Sequence, residues 1–124
     1  MTETWTFDGD HTAVTADAAV AVLRLRIAEG RLETWLTGSA GRLLSVVSNT
    51  ERTLVMLLDR EGDPGAHAVS VGSDGVSGGF RSANGQCDTY PDEDTVPLDE
   101  AFRIVRHLIR TGLPPAGTAW VVDG

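Results

Sequence analysis

The alternation of apolar and polar positions divides the chain into two periods. Residues 3–7 alternate with Trp5 and Phe7 on one side, which predicts a strand, and Asp8-Gly9-Asp10 predicts the turn after it. Ala16, Val20, Leu23 and Ile27 then recur at helical spacing behind a cap at Thr15 or Asp17, and Gly30 supplies a stop. From residue 31 to 90 the helical period is lost. Short runs at 32–37, 43–47, 54–58, 66–71 and 79–82 read as strands, and Gly38 to Gly41, Asn49-Thr50 and 62–65 supply turn chemistry between them. Strands joined this closely pair antiparallel. The run 54–58 is continuously apolar, so it is expected at the centre of the sheet with both faces covered.

The second helix is the best signalled element. Pro97 stands at or beside its first position, where a missing N–H costs nothing, and Asp99 and Glu100 place negative charge in the first turn. Leu98, Ala101, Phe102, Val105, Leu108 and Ile109 form its apolar stripe, while Arg103, Arg106, His107 and Arg110 occupy the other side. Gly112 ends it, Pro114-Pro115 prevents its resumption, and Trp120 falls in a final strand and is expected in the core. The pattern specifies an α+β fold: a mainly antiparallel sheet with two helices packed on it, in a single domain spanning residues 1–124.

Composition removes several functional classes. The net charge of -8 opposes nucleic-acid binding, which depends on neutralising phosphates, and suits a protein partner with a positive surface. No apolar run is long enough to span a bilayer, so no membrane partner is expected. The N-terminus lacks a basic and then apolar leader, and Cys87 is the sole cysteine, which together favour the cytoplasm.

Most motifs with chemical connotations fail a physical test. Gly75-Val76-Ser77-Gly78-Gly79 matches a nucleophile elbow, and Asp88 or Asp94 followed by His107 keeps a hydrolase order; yet the mechanism needs a strand-to-helix turn, and no helix begins after Ser77. Asp59-x-Glu61-x-Asp63 opens like a calcium loop, but Pro64 and Ser70 occupy the positions that need Gly and a bidentate Glu. Asp8-Gly9-Asp10-His11 has no suitably spaced second His, so a turn is expected there rather than a metal site. Cys87 could act as a nucleophile only if a base met it in space, and it is expected as a semi-buried strand residue. His67 and His107 are expected at boundary or surface positions. No cofactor fingerprint is present, and no enzymatic activity is expected.

The segment from Asp88 to Glu100 differs in kind. Six carboxylates fall within its thirteen residues without one basic residue, and Tyr90 stands among them. It is either a solvated loop that starts a helix or a surface facing a basic partner; Tyr supplies apolar area and a hydroxyl at low entropic cost. The candidate contact residues are Asp88, Tyr90, Asp92, Glu93 and Asp94, with the Gly-rich hairpin around Asp74 and Phe80 as the alternative site.

Asp88-x-Tyr90-Pro91, Val96-Pro97-Leu98, Thr111-Gly112-x-x-Pro115 and Trp120, in this order, resemble the first numbered immunity-protein family of bacterial polymorphic toxin systems. The resemblance covers residues 85–120, and more loosely 43–84; Thr118 stands where many members carry an apolar residue. It implies a small α+β protein that binds and neutralises a cognate toxin, commonly a nuclease or deaminase. Such a toxin has a basic cleft for its substrate, which an acidic inhibitor can occupy. The alternative is a small acidic protein-binding or regulatory module with an unrelated partner.

Overall fold

The computed structural model describes residues 3–124, and among these the chain forms nine strands and two α-helices. The order is β1 (Trp5–Phe7), α1 (Ala16–Ala28), β2 (Glu33–Gly38), β3 (Leu43–Ser48), β4 (Arg52–Leu58), β5 (Ala66–Val69), β6 (Val76–Arg81), β7 (Cys87–Pro91), a 3-10 turn (Asp92–Asp94), β8 (Val96–Pro97), α2 (Leu98–Thr111) and β9 (Ala119–Val122). The main sheet runs β1-β2-β3-β4-β5-β9, with β8 paired to the start of β4, and every pairing is antiparallel. Strands β6 and β7 form a separate hairpin that packs against β3. The α+β architecture follows the sequence pattern.

Local chemistry explains where the helices begin and end. Thr15 caps α1, its Oγ1 accepting the Ala18 N–H at 3.2 Å. At the other end Gly30 takes φ +86, so that its N–H reaches the Ile27 carbonyl and the Arg31 N–H reaches Arg26. These two bonds satisfy carbonyls that the helix itself leaves open. Pro97 is the cap of α2 rather than its first residue, and the Leu98 N–H finds the Glu51 carbonyl at 3.0 Å. Gly112 at φ +81 closes α2 as expected.

Side chains alternate across each strand, so the register assigns them to two faces. Both helices cover one face. Val20, Leu23 and Ile27 of α1 and Phe102, Val105 and Leu108 of α2 meet Leu36, Leu44, Val46, Val55 and Ala68 in one apolar cluster. Arg24 and Arg26 lay their guanidinium groups over the Phe102 and Phe7 rings, at 4.2 and 4.7 Å from the centroids. Trp120, expected within the core, is only half-buried at its rim because β9 is the edge strand.

The other face is only partly roofed, and this corrects the expectation for 54–58. Strand β4 is central, between β3 and β5, but Leu54 and Met56 remain half-exposed while Thr53 and Val55 are buried. The β6-β7 hairpin lies across this face beside β3 and stops short of them.

Candidate functional site

The acidic segment sits at the margin of this open face, held there by one arginine. Arg52 opens β4 and points away from the helices. Its guanidinium donates to Thr95 Oγ1 at 2.7 Å, and to the Ser70 hydroxyl and the Asp92 and Thr95 carbonyls, each at 3.1 Å. The Asp92 carboxylate lies 3.8 Å from it and accepts the Ser77 hydroxyl. Arg52 and Ser77 thus tie the 3-10 turn to β4 and to the hairpin. The rigid fork of Arg suits this, because several carbonyls must be satisfied from one planar group.

His67 provides the second tie. It stands opposite Met56 on the same face, with its side chain only 13 % exposed. Its Nδ1 lies 2.9 Å from Asp123 and its Nε2 3.0 Å from Asp94, so one imidazole links β5 to both the acidic turn and the end of β9. Burial acts to lower the ring's pKa, but the hydrogen bonds and charges of Asp123 and Asp94 outweigh it and hold the value above the ordinary 6.5. A neutral ring would turn a lone pair toward one of those carboxylates, whereas the imidazolium donates to both. The two carboxylates meet different ring nitrogens and do not converge on a common point; no group of metal-ligating side chains suited to an ion occurs among the described residues.

Between these ties lies a shallow hollow of about 220 Å³, lined by Leu54, Met56, His67, Tyr90, Asp94 and Asp123. Tyr90 forms its wall. The ring is half-buried, packs edge-on against Phe80 with centroids 5.1 Å apart, and turns its hydroxyl toward Asp88. Burial first, then the carboxylates of Asp88 and Glu33, hold its pKa above 10.0. The site is therefore an apolar floor inside a rim of carboxylates, and its one lining base is already paired.

The structure places the sequence-predicted residues unequally. Asp88, Tyr90 and Asp94 belong to this surface, and Glu93 is exposed on the turn. Asp92 is committed to Ser77 and Arg52 and offers little to a partner. Phe80 is completely buried, so it braces the hairpin from within and cannot present its ring to a partner in this conformation. Asp74 is exposed on the connection before β6. Ser77 lies inside β6 beside a bulge that accommodates Gly79 at φ +85, and no helix follows it. Cys87, expected half-buried, is exposed at the hairpin's tip side. Asp8, in the turn after β1, pairs with Arg26 and Arg31. In the Asp59–Asp63 segment, the Asp63 carboxylate accepts the Asp59 N–H and closes a turn.

His67 takes the boundary position expected of it, but its two carboxylate partners, and Arg52 altogether, are missed by the sequence pattern. A basic residue beginning an apolar strand is the only local sign of Arg52, and nothing near either residue points to partners 18 to 56 positions away. No known protein-family model matches this sequence, and no curated protein matches it either. No helix among the described residues is long and apolar enough to cross a membrane.

Proposed function

We propose that this chain is an immunity protein that binds and neutralises a cognate toxin acting on nucleic acid, a deaminase or nuclease, by covering its basic active-site cleft. The open sheet face carries this reading: an apolar floor of Leu54 and Met56 and the Tyr90 wall beside the carboxylates of Asp88, Asp94 and Asp123. An apolar centre within a polar rim is the anatomy of a protein interface. A rim of one sign selects a partner of the other and speeds the encounter with it. The segment that resembles the immunity family, residues 85–120, supplies the Tyr90 wall, the acidic turn and the start of β9.

Co-expression tests this directly. The chain should rescue cells from the C-terminal toxin domain of a large secreted protein encoded beside it, and failure to rescue or to bind would remove the proposal. Tyr90→Ala should accelerate dissociation, by about 2 kcal/mol if Tyr90 is a hot spot. Glu93→Gln with Asp88→Asn should instead slow association and flatten its salt dependence. Unchanged kinetics in both variants would move the interface off this face.

A further inference from the structure

The two ends of the main sheet are finished differently. At β1 the outer side is bridged within the chain, where the Val14 N–H donates to the Trp5 carbonyl at 2.9 Å. At β9 no strand among the described residues pairs with the outer side. The Asp123 N–H donates inward to Gly65 at 2.8 Å, and β9 runs antiparallel to β5 with Val121 opposite His67. Inward and outward bonding alternate along such a strand. Ala119, Val121 and Asp123 therefore bond to β5, and the N–H and C=O groups of Trp120 and Val122 face outward.

This edge lacks the usual protections. Ala119-Trp120-Val121-Val122 contains no charge and no proline, and Val121 and Val122 are 46 % and 80 % exposed. Charged side chains, Pro or bulges ordinarily block such a template. Beside Val122 a hollow of about 210 Å³ is walled by Leu57, Ala66 and Val122, with the acidic residues Asp59 and Asp63 at its margin. The apolar walls suit the methylene stem of Arg or Lys and the carboxylates suit its head. A second copy of this chain is the poorer occupant, because each copy carries -8 and brings the same acidic hollow.

We propose that β9 is a strand-addition edge: an extended basic segment of the toxin domain pairs its backbone with Trp120 and Val122, and places one Arg or Lys in the hollow beside Val122. Backbone bonds give such a contact its affinity and the flanking pocket gives it selectivity. The inference rests on the immunity reading and specifies how the partner is held.

The probe is the catalytically inactivated toxin domain encoded beside this chain. Amide exchange on the wild-type chain should show Trp120 and Val122 exchanging freely alone and becoming protected in the complex. Val122→Pro removes an outward N–H without touching the β5 bonds, and should weaken binding at least tenfold, the order expected for a lost hydrogen bond at a desolvated edge. Val122→Thr, which keeps that N–H, should stay within about twofold. Asp59→Arg should weaken binding by reversing charge in the hollow, and serves even if the Pro variant folds poorly. Binding that leaves the two amides unprotected would overturn the edge proposal and spare the immunity reading. Absence of any wild-type binding would overturn both. A concentration-dependent dimer of the chain alone, abolished by Val122→Pro, would give the edge to self-pairing and overturn the basic-segment proposal.

Discussion

The two faces of the main sheet are built on opposite chemical plans. Under the helices the contacts are apolar and dry, and all four buried side-chain polar atoms without a partner among the described residues lie there or at its rim: Trp5 Nε1, Thr34 Oγ1, Thr53 Oγ1 and Trp120 Nε1. On the open face Arg52, His67, Ser70 and Thr95 satisfy one another and the acidic turn through named hydrogen bonds. The difference teaches that apolar burial and polar pairing are separated in space. The first face contributes burial, which is insensitive to pH and salt. The second contributes fewer buried carbons and more charge, so its geometry responds to both.

Truncation on the helix-covered face breaks the comparison most severely. Phe102 is 5 % exposed, and Phe102→Ala should cost about 3–5 kcal/mol in denaturant unfolding, as large-to-small core changes do. A loss below about 1 kcal/mol would mean that α2 does not close the core.

A smaller and opposite effect is expected from a polar atom on the same face. Thr53 is fully buried and its hydroxyl has no partner, so Thr53→Val exchanges a desolvated hydroxyl for a methyl of similar shape. It should leave stability unchanged or raise it by up to about 1 kcal/mol. A loss larger than that, measured by the same unfolding experiment, would reveal a bond the dry face is not supposed to contain.

The gentlest test sharpens the contrast on the open face. His67 has a folded pKa above its ordinary 6.5, so the folded chain holds this proton more tightly than the unfolded chain. Its contribution is fully present below pH 6.5 and is lost as pH rises through the raised folded value. Unfolding midpoints of the wild type should accordingly decline over that window by more than those of His67→Gln. Parallel curves for the two proteins would show that the imidazole is not charged between Asp94 and Asp123.

Short-range signals account for most of what could be read in advance. Thr15, Gly30, Pro97 and Gly112 act within one helical turn, and the α2 stripe needs no knowledge of the sheet. The candidate site was legible only as a composition: carboxylates around Tyr90. Which of them are free could not be read, because Asp92 is occupied by Ser77 fifteen residues away and Asp94 by His67 twenty-seven away. Phe80 looked like surface in a Gly-rich hairpin, yet a single large apolar side chain in such a hairpin is what it buries against the sheet.

The sequence by itself determined the helices, their stops, most of the antiparallel strands and the sign of the surface charge, since each follows from dihedral preference, periodicity or a count of ionisable groups. Only the tertiary structure decided which face of β4 stays open, which carboxylates are already paired and which edge strand ends the sheet. Those outcomes depend on where the β6-β7 hairpin lands and on side chains such as Arg52 that bond across more than forty residues. No local pattern encodes such distances; packing fixes them when the whole chain closes on one core.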